Sequence, residues 1–149
     1  MISKIGQILS LAGIIALAAC GDDATTTAPV TTNACTTPVS ASAQVTVTSP
    51  NCGGTWKVGD TISFAWKVGS DFGTAKVQLK LPNGHSAFAY AGGSLDTTTY
   101  KWAVPDSIYD DVARAKVSTI GSGYRLVISD YVTSSYRDTS DVAFAIVAK

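Results

Sequence analysis

Short runs of alternating apolar and polar residues fill the chain from residue 44 onward and predict β-strands. The clearest run is Ala75–Leu81, where apolar residues alternate with Lys, Gln and Lys. In the strand before it, Ile62, Phe64 and Trp66 share one face. Turn residues separate the runs and no helical periodicity intervenes, so the pattern predicts an antiparallel β-sandwich. The predicted strands are 45–48, 61–66, 75–81, 85–90, 100–104, 123–129 and 142–146.

The first two predicted strands flank a segment rich in turn residues. Residues 49–60 contain Pro, Asn, two adjacent Gly and a Gly-Asp pair, which are residues that reverse a backbone. Residues 44–149 also have the usual size of an immunoglobulin-like domain. We therefore expect an all-β, immunoglobulin-like antiparallel β-sandwich of about seven strands. Segment 106–122 stays open, because Ser107–Asp110 is compatible with one or two helical turns and Val112–Ile120 with a strand extension.

The N-terminus carries a targeting signal instead of a strand pattern. Lys4 is followed by an apolar run that ends in Leu17–Cys20, with the sequence Leu-Ala-Ala-Cys. This ending resembles the lipobox of bacterial lipoproteins, which implies a signal peptide over residues 1–19 and a diacylglycerol on Cys20, with a further acyl chain such as palmitate. Two or three acyl chains give stable membrane attachment. The alternative is an ordinary secretory peptide that ends near a cysteine.

A linker is predicted between the lipidated Cys20 and the domain. Residues 20–43 are rich in Thr, Ala, Ser and Pro and have few large apolar side chains, so they favour a tether. Gly21 at the second mature position favours the outer membrane, with the domain facing the periplasm or the cell surface. Asp22 and Asp23 either resemble the export signal of Bacteroidetes-type surface lipoproteins or simply begin a solvated linker.

The charge balance argues against nucleic acid as a partner. The chain has 11 basic and 11 acidic residues, and every acidic residue is Asp. Without residues 1–19, which contain Lys4, the net charge is about −1. A nucleic-acid-binding domain is usually strongly basic. The partners that we expect are the membrane, through the lipid anchor, and a polysaccharide or a surface protein.

Several motifs of the predicted domain match a known family. They are Val47–Pro50, Gly53–Asp60, Ile62-x-Phe64-x-Trp66, Tyr100–Pro105, Tyr124–Ile128 and Ser140–Ile146. Residues 45–147 thereby resemble the Ser/Thr-rich, GPI-anchored membrane protein family, the immunoglobulin-like N-terminal domain of yeast cell-wall synthesis proteins. The resemblance implies an immunoglobulin-like sandwich in a surface protein and offers no catalytic residues. Cys52 and the long segment before Tyr124 depart from the family pattern.

Two cysteines are left once Cys20 is lipidated. An even number of remaining cysteines in an exported chain favours a disulfide, here between Cys35 and Cys52. The alternative is two free thiols. Such a disulfide would join the end of the tether to the turn at 49–60. A zinc site is not expected, because the chain has one His and no Cys-x-x-Cys. The sequence predicts no other metal and no cofactor.

Aromatic residues outside the predicted core faces are the candidate ligand-binding residues. Trp66 and Trp102 alternate in phase with core positions, so core packing is their favoured interpretation. The others are predicted to lie in turns and loops, where they would suit sugar stacking, although ordinary loop aromatics remain the alternative. These candidates are Trp56, Tyr109, Tyr131 and Tyr136.

No catalytic constellation is visible. His85 follows a turn without a nucleophile motif nearby, and we expect it to be a surface residue. Two groups of Asp are candidate calcium ligands, but they lack the spacing of a calcium loop, so solvated turn residues are favoured: Asp106, Asp110 and Asp111, and Asp130, Asp138 and Asp141. We expect a non-catalytic lipoprotein module for binding or display at the cell envelope. The alternative is a small Asp-based glycoside hydrolase or another envelope enzyme.

Overall fold

The computed structural model describes residues 43–90 and 94–149, which lie within one compact unit, Thr32–Lys149. Within the described residues every regular element is a β-strand. The strands are β1 (Val45–Ser49), β2 (Thr55–Lys57), β3 (Thr61–Val68), β4 (Ala75–Lys80), β5 (Ser86–Phe88), β6 (Thr99–Ala103), β7 (Ser107–Asp110), β8 (Ala115–Ser118), β9 (Gly121–Asp130), β10 (Arg137–Thr139) and β11 (Phe144–Val147).

The strands form two main sheets and a separate hairpin. The first sheet has three antiparallel strands in the order β1-β3-β6. The second has six strands, in the order β2-β11-β9-β4-β5 with β10 also paired to β9. Its pairs are antiparallel except β2–β11, which is parallel. Strands β7 and β8 form the hairpin. The fold is therefore all-β and consistent with a β-sandwich.

Residues from both main sheets form one buried apolar cluster. The alternation predicted for β3 and β4 is confirmed, because Ile62, Phe64 and Leu79 are buried while their polar neighbours are partly or fully exposed. Trp66 and Trp102 are also buried, and the rings of Phe64 and Trp102 stack with centroids 5.7 Å apart. The prediction that these two tryptophans belong to the core is confirmed.

The predicted number of about seven strands is too low. All seven predicted segments form strands, namely β1, β3, β4, β5, β6, β9 and β11. The four additional strands, β2, β7, β8 and β10, contain only three or four residues each. A segment of that length is too short for a period of two to be recognised, since it shows at most two residues on either face.

The segment 49–60 is more than a turn between β1 and β3. It begins with a cis peptide bond at Ser49–Pro50, and it contains β2, which pairs with β11 of the other sheet. The backbone amide of Ala145 donates to the Gly54 carbonyl, and that of Val58 donates to the Val147 carbonyl. The neighbouring strand β11 thus satisfies backbone hydrogen-bonding groups of the crossing segment.

The open segment 106–122 is a β-hairpin with no helical turn. Ser107 pairs with Ser118 and Asp110 with Ala115. The hairpin lies beside β5, because the backbone amide of Asp111 donates to the carbonyl of Ser86 at 2.9 Å. It therefore stands next to the turn that follows β4, where the candidate site forms.

Candidate functional site

The turn between β7 and β8 is organised around Asp110, which is fully buried. Its Oδ1 atom accepts hydrogen bonds from the backbone amides of Val112 at 2.9 Å and Ala113 at 2.8 Å. A side chain that binds amides two and three residues ahead stabilises a tight turn. Arg114 completes the turn with a positive φ of 57°.

The same carboxylate joins this hairpin to the turn between β4 and β5. Its Oδ2 atom accepts hydrogen bonds from Asn83 Nδ2 at 3.1 Å and from His85 Nδ1 at 2.8 Å. Asn83 in turn accepts the backbone amide of His85 through Oδ1, at 2.9 Å. The hairpin turn predicted at Pro82–Gly84 is thus confirmed, and Asp110 fixes its position relative to the β7–β8 hairpin.

The environment of Asp110 strongly favours its charged form. Burial alone would raise the pKa of this carboxyl, because a low-dielectric interior disfavours charge. The hydrogen bonds from Ala113, His85, Asn83 and Val112 outweigh burial and hold its pKa well below the ordinary value. The neighbouring Asp111 has a raised pKa, because of partial burial and the charge of Asp110. Asp110 is therefore an ionised structural anion at neutral pH.

His85 was expected to be a surface residue, and it is partly exposed, but its side chain also binds the buried Asp110. Its side chain is 37% exposed and forms an ion pair with Asp110 when it is protonated. A carboxylate only accepts hydrogen bonds, so the shared proton belongs to Nδ1 of His85. Periodicity missed this contact, because the two residues lie 25 positions apart on different turns. The one sequence signal for this contact is the position of Asp110 at the end of a polar-apolar alternation, directly before a turn.

A groove opens beside this cluster at one end of the second sheet. It has a volume of about 220 Å³. Tyr124 is only 2% exposed and forms the floor, while Asn83 belongs to both the groove and the Asp110 cluster. The lining residues are Leu81, Pro82, Asn83, Val117, Ser118, Ile120, Gly121 and Tyr124.

The groove combines apolar walls with a few hydroxyl and amide groups. Leu81, Pro82 and Val117 supply aliphatic surface, and Asn83 and Ser118 supply hydrogen-bonding atoms. Burial raises the pKa of Tyr124, so its phenol stays neutral and can donate a hydrogen bond. Apolar walls with a small number of polar groups are typical of small-ligand sites. The groove is suited to a single ring-sized group such as one sugar unit.

A second buried carboxylate, Asp130, closes the turn after β9. It accepts the backbone amides of Val132, Thr133 and Gly73. The hydrogen bond from Thr133 is the largest influence and lowers its pKa, burial opposes this, and the bonds from Gly73 and Val132 lower it further. The interpretation of Asp110 and Asp130 as solvated turn residues is therefore wrong, because both carboxylates are buried and bind backbone amides.

Two of the four predicted ligand-binding aromatics lie far from the groove. Tyr131 and Tyr136 follow β9 at its Asp130 end, where Asp130 pairs with Ala75, the first residue of β4. The groove lies at the other end of β4, beside Leu81. Tyr131 is 56% exposed and Tyr136 is partly buried. Their role in ligand binding stays a prediction.

The other two predicted aromatics lie in strands, so their assignment to turns and loops is wrong. Trp56 lies in β2, and its ring meets Phe144 edge-on at a centroid distance of 5.4 Å. A Cβ on Gly54 would come within 2.6 Å of the Trp56 ring, so the indole lies directly over this glycine. Tyr109 lies in β7, is 48% exposed and pairs with Lys116. Neither residue lines the groove.

The predicted lipidation and disulfide sites are only partly within the described residues. Cys20 and Cys35 lie outside them. Cys52 lies beside Val142 of the loop before β11. The pairing of Cys52 with Cys35 therefore stays a prediction.

The six Asp residues considered as calcium ligands do not gather. Asp138 accepts the backbone amide of Val47, and Asp141 binds Asn51 through both its backbone amide and its carboxylate. Among residues 43–90 and 94–149 no group of three or more His, Cys, Asp or Glu is placed to hold a metal ion. In the same residues no helix is long and apolar enough to cross a membrane.

Comparisons with protein-family models, with curated proteins and with solved structures found no match for this chain. The resemblance to the immunoglobulin-like domain of yeast cell-wall synthesis proteins therefore still depends on the sequence motifs alone. The groove and its surroundings are the structural basis for a functional proposal.

Proposed function

We propose that this protein is a lipid-anchored, extracytoplasmic binding module. Its immunoglobulin-like domain holds a ligand of the cell envelope or cell surface, such as a glycan, without changing it chemically. Cys20 attaches the chain to the outer membrane, and residues 20–43 hold the domain away from the lipid. The supports for attachment are the Leu17–Cys20 motif and the Thr- and Pro-rich composition that follows it.

The groove is the single observation that supports ligand binding most strongly. It is open to solvent, has an aromatic floor in Tyr124 and presents Asn83 and Ser118 as hydrogen-bonding groups. Asp110 joins Asn83, which lines the groove, to the β7–β8 hairpin, whose strand β8 supplies Val117 and Ser118. The site is therefore preorganised, and little entropy is lost when a ligand binds. Its volume of about 220 Å³ suits one ring of a longer saccharide.

The alternative, an Asp-based glycoside hydrolase, has weaker support. Such an enzyme needs two carboxyl groups that flank one glycosidic bond, and one of them must act as a general acid with a raised pKa. The two buried carboxylates, Asp110 and Asp130, lie at opposite ends of β4 and both have lowered pKa values. Asp111 has a raised pKa, but the carboxylate that interacts with it is that of Asp110, its buried neighbour in the chain.

A saccharide panel tests the proposal with one pair of variants. Ile120 lines the groove and is 54% exposed, whereas Val112 lies in the β7–β8 turn, is 62% exposed and does not line the groove. We expect Ile120→Asp to weaken the binding of any saccharide ligand by roughly tenfold or more, because it places a charge against the bound ring. Val112→Asp should bind as the parent protein does.

Each saccharide that binds is also assayed for hydrolysis. Binding without turnover, weakened by Ile120→Asp alone, supports the proposal. Turnover that one Asp→Asn substitution abolishes would contradict it. Equal binding by both variants would show that the groove is not the site.

A further inference from the structure

The outer face of the second sheet carries four cationic side chains in one patch, which we call the basic face. Lys80 pairs directly with Arg125, while Lys76 and Arg137 both pair with Ser129 from opposite sides. Directly opposed residues of antiparallel strands project from the same face. Lys76, Lys80, Arg125 and Arg137 are partly or fully exposed, whereas the alternate residues of β4 and β9 are buried.

No acidic residue occupies an outward position on the four strands that carry the basic face and its edge. Asp130 and Asp138 of β9 and β10 turn to the inner side, where Asp130 is buried and Asp138 accepts the backbone amide of Val47. Asp111 lies at the rim of this face, and the nearby charge of Lys76 partly offsets the rise in its pKa. The whole chain has equal numbers of acidic and basic residues, but this face is locally positive.

The four cations of the basic face have no ion-pair partner among the described residues, where the single ion pair joins His85 and Asp110. Lys80 and Arg125 are like charges placed directly opposite each other, an arrangement that destabilises a sheet. Arg125 is also held in position, because its Nη1 donates to the carbonyls of Ser140 and Asp141. An anionic ligand would neutralise the positive charge that these four side chains bring together.

We propose that the basic face binds a linear polysaccharide that bears carboxylate or sulfate groups. Lys80 and Arg125, which lie at directly opposed positions of β4 and β9, would each contact an anionic group of this polysaccharide chain. Lys76 and Arg137 would contact a neighbouring anionic group of the same chain. This inference goes beyond the binding of one ring in the groove, because it names a second surface and the charge of its ligand.

The residues between the cations favour a polysaccharide over a membrane surface. Gln78 and Thr139, which are partly exposed, supply hydrogen-bonding groups suited to sugar hydroxyls. Phe88 is the one exposed large apolar side chain at this face among the described strands, and Lys76 Nζ lies 5.1 Å from its ring centroid. Proteins that lie on membranes insert several apolar side chains into the lipid boundary, and this face does not offer them.

Polygalacturonate and its fully methyl-esterified form test the proposal, since they share a backbone and differ in charge. Binding to the full chain, purified in nonionic detergent, is measured by calorimetry over a range of salt concentrations. We expect polygalacturonate to bind, with an affinity that falls as salt rises, and the methyl ester not to bind. The double variant Lys76→Gln/Lys80→Gln should bind roughly tenfold or more weakly, because it removes two of the four cations that attract the anionic chain.

The matched control is Lys67→Gln/Lys101→Gln, which removes the same charge from exposed positions of the first sheet. It should retain the parent affinity. An equal loss of affinity in both double variants would show that binding depends only on the net charge of the protein, and would overturn the proposal. No binding of polygalacturonate, or binding to phosphatidylglycerol vesicles in its place, would overturn it as well. Circular dichroism confirms that each variant is folded.

Discussion

Asp110 and Asp130 close two turns at opposite ends of β4 with the same hydrogen-bond pattern. Each carboxylate accepts the backbone amides two and three residues ahead of it, and one or two further hydrogen bonds from a distant turn. The distant donors are Asn83 and His85 for Asp110 and the Gly73 amide for Asp130. Two buried anions thereby fix the ends of the second sheet.

This relationship predicts a stability that depends on acid pH. Because the pKa of Asp110 is lowered on folding, the folded state favours the ionised carboxylate. Its contribution is therefore fully present above the unfolded pKa, about 3.8, and is lost as the pH falls toward the folded pKa. We expect Asp110→Asn to lower the urea midpoint at neutral pH, because the new amide faces the donors of Asn83 and His85.

Asp110→Asn should also lose less stability than the parent between neutral pH and about pH 3, since it cannot be protonated there. Urea denaturation at both pH values measures the difference. Asp96→Asn is the control, because Asp96 is exposed and forms no hydrogen bond with a described residue. A variant as stable as the parent at neutral pH would contradict the role given to Asp110.

A pair of glycines tests the packing of Trp56. Gly54 and Gly84 have positive φ values of 131° and 85°, but only at Gly54 would a Cβ collide with the indole. We expect Gly84→Ala to destabilise the fold by about 1–2 kcal/mol, from backbone strain alone. Gly54→Ala should destabilise it more and shift the tryptophan fluorescence. Equal losses would show that Trp56 moves aside freely.

The predicted disulfide between Cys35 and Cys52 can be tested by mass mapping without reduction. We expect one peptide pair joined through these residues, and Cys52→Ser should cost about 3 kcal/mol, because the disulfide closes a short loop of the unfolded chain. Cys20→Ser, which removes the predicted lipid site, is the matched control and should leave the unfolding midpoint unchanged. A Cys20–Cys52 pair would refute both the pairing and the lipidation.

The lipid anchor has its own test, independent of folding. Labelled palmitate should enter the parent protein during growth, and Cys20→Ser should remove the label, because the thiol at that position accepts the diacylglycerol. Globomycin should cause the uncleaved precursor to accumulate. An unlabelled parent protein would leave an ordinary secretory peptide as the interpretation of residues 1–19.

Alternation predicted the long strands well, because each buries one face in the core. Ile62 and Leu79 lie where period two places them, and both are buried. The short strand β2 was missed, because its three residues are determined by pairing with β11 and not by their own pattern. Tertiary pairing of that kind overrides local turn chemistry.

The candidate site was harder to predict than the fold, because it depends on contacts between distant turns. Asp110 and His85 looked like ordinary loop residues, and only the position of the β7–β8 hairpin beside β5 brings them together. The charges of the basic face were visible along β4. That Arg125 and Arg137 lie on the same face as the lysines of β4 follows from the strand register, which could not be predicted from the sequence.

The most direct test of the central claim, that the groove holds a ligand, is a nuclear magnetic resonance titration with the saccharide that binds best in the panel. We predict that amide shifts concentrate at Asn83, Ser118 and Gly121, which line the groove. The amides of Tyr131 and Tyr136 at the other end of β4 should stay unchanged. Shifts centred on Tyr131 and Tyr136, with Asn83 and Ser118 unaffected, would contradict the account.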